Sequence, residues 1–232
     1  MKYLSFIILS SLIFFSCGEK KDTSKPIKFK NQKEKLSYIL GAINAKTLSN
    51  SGEASFSQLD KELLIKGFNE NLNGNSTEEC LQTLQKLFGA TYQDFNKKYV
   101  KEGSLCMGKM TAYAFYFDIK KLGGLKDVDF EFVKRGYEDG LYKRDTVTFK
   151  EKEMQEEMQN FIVKLNEMNG DKMLAKAKIL KGAEIFENGI IMETLRPGKG
   201  TQPSATDDVK VHYILTSALG DTVQNSYTMK NE

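Results

Sequence analysis

The stretch GAEIFENGIIMETLRPGKGTQPSATDDVKVHYILTSALGDTVQNSYTMKNE, residues 182–232, decides how the fold is read. Asn188-Gly189 lies between EIF and IIMETL, the setting of a β-hairpin with a type I′ turn, because that turn needs positive φ at two residues and Asn-Gly adopts it most readily. Pro197-Gly198-x-Gly200 then marks a loop. Beyond it Val209, Val211, Tyr213 and Leu215 recur every second residue, with Lys210, His212 and Ile214 between them, the alternation of a strand. The C-terminal segment is therefore expected to be antiparallel β.

Upstream the apolar period changes from two to about 3.6. Leu36, Ile39, Leu40, Ile43 and Thr47 put a stripe on one helix face, and the Ser/Asn/Gly cluster at 49–52 ends it. A second helix is expected from Ser57, with Ser57-x-x-Asp60 similar to a capping box, carrying Leu59, Leu63, Leu64, Phe68 and Leu72. A third is expected from Ser76 through Leu81, Leu84, Leu87, Phe88, Tyr92 and Phe95 to Tyr99.

The plan then recurs. SYILGAIN (37–44) lies over SLCMGKMT (104–111), and LLIKGFNENLNG (63–74) over FVKRGYEDGLYK (132–143), pairing Gly41 with Gly108, Gly67 with Gly136 and Leu72 with Leu141. Asp129 and Thr148 are natural N-caps in the second copy, Thr148-x-x-Glu151 opening a helix with Met154, Met158, Phe161 and Leu165. Paired glycines suggest close helix approach. The organisation expected is α+β: two three-helix modules at 33–100 and 101–165, a charged linker at 166–183, and a partial antiparallel β domain at 184–232.

The N-terminus bears on location. Lys2 and the apolar run at 4–15 form a signal peptide over 1–16, too short to span a bilayer, which takes about 20 residues. FFSC (14–17) resembles a bacterial lipobox, implying cleavage before Cys17, lipid on its thiol, and an anchored envelope protein, at the periplasmic face or the cell surface. An ordinary secretory signal is the alternative. The polar, lysine-rich residues 17–32 read as a tether, because such composition buries too little apolar surface to fold alone. A formal net charge of +3, with no basic patch interleaved with aromatics, gives no sign of nucleic-acid binding.

The ordered set NGI, LRPGKGTQPSATDDVKVHY resembles FKBP-type peptidyl-prolyl isomerase domains. KEKLSYILG (33–41) with the following LLIKGFNENLNG resembles the helical domain that precedes them in isomerases of the macrophage infectivity potentiator type, with Lys or Glu where that family has Asp. The resemblance implies a prolyl isomerase and chaperone acting on proline-containing or unfolded clients without a cofactor. It also implies either a homodimer or an internal pseudo-dimer. Tyr213 matches the pocket tyrosine, whereas Val223 and Gln224 stand where the family has Phe and Asp. Residues 184–232 are too few for a compact domain, which commonly needs about 100 residues, so a fragment or a truncated relative is expected. The alternative reading is a non-catalytic helical chaperone or dimerisation lipoprotein.

Other constellations carry less. His212 is the single histidine, so no metal site built from several histidines is available, and no metal is expected. Cys80 and Cys106 are allowed to pair in an exported chain, but Cys106 matches Ile39 in the repeat, which favours a buried free thiol. Met154, Met158 and Met168, at helical spacing, read first as core and second as an adaptable client surface.

Overall fold

The computed structural model describes residues 27–49, 56–89, 95–145 and 148–228. The signal peptide, Cys17 and the tether up to residue 26 lie outside them. Among the described residues six α-helices come first: α1 Gln32–Ser49, α2 Lys61–Asn71, α3 Glu78–Phe88, α4 Val100–Lys121, α5 Phe130–Leu141 and α6 Glu151–Lys178. Four short strands follow, β1 Ala183–Ile185, β2 Ile191–Glu193, β3 Ile214–Thr216 and β4 Thr222–Asn225, paired antiparallel as β1–β2 and β3–β4. The architecture is α+β.

Local chemistry sets the helix ends. Asp60 caps α2 by accepting from the backbone N–H of Glu62 and Leu63, and Asp129 caps α5 by accepting from Glu131. Helix α2 thus begins at Lys61 rather than at Ser57, which lies in a short 3-10 turn. Likewise α6 begins at Glu151, and Thr148 does not cap it. The expected long third helix stops at Phe88: Gly89 adopts φ 72°, which ends the α-helical run, and the chain resumes through a 3-10 turn at Lys97–Tyr99 into α4. The expected linker is helical over residues 166–178, because Met, Leu, Ala and Lys favour helix and one Gly170 costs only about 1 kcal/mol.

Two crossings hold the helical body together, α1 against α5 and α2 against α4. At the first, Gly41 lies on the backbone of Val133 and Tyr137, and Gly136 on that of Tyr38 and Ala42. At the second, Gly67 lies on Leu105 and Lys109, and Gly108 on Leu64 and Phe68. A Cβ at any of the four would collide with a carbonyl oxygen of the facing helix, so these positions require glycine for close approach. Between the crossings the rings of Phe68 and Tyr137 stack at 3.7 Å, both without exposed surface. Each such buried side chain contributes about 1.5–3 kcal/mol relative to exposure.

Around this centre the helices add further ties. Cys80 of α3 and Cys106 of α4 form a disulfide with Cα atoms 5.1 Å apart, rather than leaving a buried free thiol. Ile27 and Phe29, expected in the tether, pack instead on a second apolar cluster of Tyr38, Ile39, Ala42, Phe149 and Met154. Asp139, almost fully buried, accepts from Tyr38 Oη at 3.1 Å, Arg135 Nε at 2.8 Å and Arg144 Nε at 2.9 Å, which compensates its desolvation.

The hairpins use a different turn from the one expected. Gly189 N–H donates to the Phe186 carbonyl at 2.9 Å, and Gly189 alone has positive φ, 85°, so a type I-like turn is followed by a glycine bulge instead of a type I′ turn. Ser217 to Gly220 repeats that arrangement, with Gly220 at φ 88°. The strand expected from Val209 is regular only from Ile214, since residues 209–213 have no ladder partner among the described residues.

Candidate functional site

Two places on the molecule are candidate sites. The first is the β3–β4 hairpin, which carries the three pocket candidates. Ile214 pairs with Asn225 and Leu215 with Gln224, and a bulge at Leu215/Thr216 leaves Val223 outside the regular register. One step beyond the ladder, Tyr213 N–H donates to Ser226 Oγ at 2.8 Å, and its carbonyl accepts from Ser226 N–H at 3.0 Å. The alternation of the pleat then puts Tyr213 and Gln224 diagonally on one face.

That face is open. Tyr213 is 43% and Val223 66% exposed, and Gln224 is half-buried. His212 stacks on Tyr227 at 4.6 Å, with its Nδ1 3.3 Å from Ser226 Oγ, which occupies both rings with each other. Prolyl isomerisation needs no acid, base or nucleophile: its barrier of about 18–20 kcal/mol falls when the twisted imide is favoured over the planar forms in a desolvated pocket. Tyr213, Val223 and Gln224 share a hairpin, but the described residues do not enclose them.

The second place is a groove of about 440 Å³ on the helical body. Ile43 of α1, Phe115 and Ile119 of α4, and Met158 and Ile162 of α6 supply an apolar lining, and Leu219 from the β3–β4 turn lies against it. Lys121 Nζ reaches Asp221 Oδ2 at 2.7 Å and ties that turn to α4. Ile43 and Met158 also line a neighbouring groove with Lys46, Thr47 and Met154, extending the apolar strip along α1 and α6. Met154 is buried and Met158 half-buried; both pack on the core and both line this strip. The two grooves together present a mainly apolar strip.

Sequence reasoning missed Leu219 and the Lys121–Asp221 pair. A Leu-Gly-Asp turn signal was present, but where a turn lands on another element is not written in local pattern. Among the described residues no group of His, Cys, Asp and Glu could hold a metal ion, and no helix is long and apolar enough to cross a membrane.

Comparison with known proteins adds one relative. The FKBP-type peptidyl-prolyl cis-trans isomerase FkpA of Aeromonas hydrophila is 30% identical to this chain over an alignment of 117 residues, covering 44% of this chain and 42% of that protein. This similarity supports a relationship to the FKBP family. The chain matches less than half the length of that relative. No family model matches the chain, and no solved structure matches it.

Proposed function

We propose that this protein is a folding factor of the FKBP isomerase and chaperone type, acting on proline-containing or unfolded clients in the bacterial envelope and anchored through lipid on Cys17. The similarity to the Aeromonas isomerase carries this reading. The groove supports the chaperone half, since its lining offers apolar side chains to a client. The anchor rests on the resemblance of residues 14–17 to a lipobox. A second reading, a holding chaperone without isomerase activity, is favoured by the exposure of Tyr213 and Val223.

Two assays on one preparation separate the readings. Suppression of client aggregation that weakens in Ile43→Ser and Met158→Ser supports the groove, and no suppression by the unaltered chain sinks the chaperone half. Acceleration of X-Pro isomerisation that falls in Tyr213→Ala supports catalysis on the hairpin; suppression without acceleration leaves the holding chaperone. Cys17→Ser is expected to release the protein from membranes, and a variant that still needs detergent for extraction would overturn the anchor.

A further inference from the structure

The two helix crossings correspond to each other in sequence and in the contacts that their glycines make. Aligning Gly41 with Gly108 and Gly67 with Gly136 converts the α1–α5 crossing into the α4–α2 crossing, and each glycine meets the counterpart of what its partner meets. Independent hydrogen bonds repeat the relation. Ser37 Oγ donates to the Lys33 carbonyl and accepts from the N–H of Asp129, the cap of α5, at 2.8 Å. Ser104 Oγ donates to the Val100 carbonyl and accepts from the N–H of Asp60, the cap of α2, at 2.9 Å. The same alignment makes Ser37 equivalent to Ser104 and Asp129 to Asp60.

A third observation fixes the symmetry. Phe68 and Tyr137 are equivalent in that alignment, and they stack on each other with an interplanar angle of 1°. A residue that meets its own equivalent marks an isologous contact, the signature of a two-fold relation. Departures from the relation lie at the periphery. Ile39 and Met154 share an apolar cluster where Cys106 and Cys80 form a disulfide, and α3 has 11 residues where α6 has 28.

We infer that the helical body is a duplicated half-unit whose two copies interlock within one chain, closing a dimer-like interface in cis. Each half-unit exchanges a helix with the other: α1 of the first copy packs on α5 of the second, and α4 of the second on α2 of the first. The surface that a second molecule would need for such an exchange is already filled by the chain's own helices. The protein is therefore monomeric through this interface. Of the two assemblies that the repeat left open, the geometry points to the internal pair.

Isotope-mixed crosslinking tests this on the unaltered full-length chain. Lys33 Nζ donates to the Lys126 carbonyl at 2.8 Å, bringing a lysine of α1 beside one in the 3-10 turn that leads into α5. Light and heavy chains are mixed unfolded, refolded together and treated with a lysine-reactive linker. Lys33–Lys126 peptides joining only like isotopes, with a monomer mass by light scattering, are the expected result. Mixed-isotope peptides at the frequency of random pairing would show that the exchange runs between two chains and would overturn the inference. So would a dimer mass that is lost when Gly41→Leu breaks the crossing.

Discussion

Phe68 and Tyr137 have no exposed surface, whereas Val223 and Tyr227, at the other end of the chain, are 66% and 68% exposed. Both regions are rich in aliphatic and aromatic residues, so composition does not separate them. The difference lies in what each kind of element needs. A helix satisfies its backbone within itself and requires only an apolar neighbour for its stripe, which the crossings of α1 with α5 and α2 with α4 provide. A strand needs a ladder partner on each edge and cover on a face, and β1–β2 and β3–β4 are separate two-stranded ribbons. The helical body therefore stands as a packed unit, while the hairpins present apolar side chains to whatever meets them.

The largest test of that contrast is to break a crossing. Gly136→Leu puts a side chain into the Tyr38 carbonyl on α1, and neither backbone can retreat without separating the helices. A destabilisation above about 4 kcal/mol is expected, with loss of the cooperative melt in far-UV circular dichroism. Gly170→Ala, where a Cβ meets nothing, is the control, expected to stabilise by up to about 1 kcal/mol. A Gly136→Leu variant melting close to the unaltered chain would mean that α1 and α5 do not pack this closely.

Next in size is the covalent tie. The Cys80–Cys106 disulfide closes a loop between residues 26 apart and pins α3 to α4. Cys80→Ser with Cys106→Ser is expected to cost about 3 kcal/mol in urea unfolding under oxidising conditions. The hairpins, which the bond does not touch, should keep their susceptibility to limited proteolysis. A midpoint unchanged from the unaltered chain would show that the bond adds nothing to the folded body.

High pH probes the same core more gently. Burial pushes the hydroxyl of Tyr137 above the ordinary tyrosine range, and burial with the nearby Asp139 carboxylate does the same for Tyr38. A raised folded-state pKa means that the unfolded chain loses these protons first. Stability is then fully present below about pH 10 and declines above it, by at most about 1.4 kcal/mol per pH unit for each tyrosine. Tyr137→Phe, which keeps the ring stacked on Phe68, should flatten the slope; an unchanged slope would assign the alkaline loss to other groups.

Legibility in the sequence followed the same division. The glycines of SYILG and LLIKG were readable because close helix approach admits almost nothing else, and Asp129 was readable because N-capping is local. The break at Gly89 was not, since the apolar period of Leu84, Leu87 and Phe88 runs on into Tyr92 and Phe95 and masks one glycine that stops the helix. The length of α6 was hidden by a charged composition that suits an exposed helix as well as a linker. Of the candidate site, alternation put Tyr213 on a strand and the family resemblance picked out Val223 and Gln224, but the pairing that joins them in one hairpin came only with the structure. Leu219 escaped because its groove is made by α1, α4 and α6, and no period in the hairpin encodes a surface built from three distant segments.

The smallest effect is expected where the contrast is sharpest. Val223→Ser removes an aliphatic side chain that is two-thirds exposed and outside the ladder register, so little buried area is lost. A change within about 0.5 kcal/mol is expected in urea unfolding. The same substitution in the helical core, Val133→Ser, removes a fully buried side chain from the α1–α5 crossing and leaves a hydroxyl in its place. If Val223→Ser instead costs more than about 1 kcal/mol, the hairpin face is covered in solution, because a loss of that size needs buried apolar area. Hydrogen exchange at Leu215 and Gln224 would then locate the cover, as protection there rises only when the β3–β4 ladder is held closed.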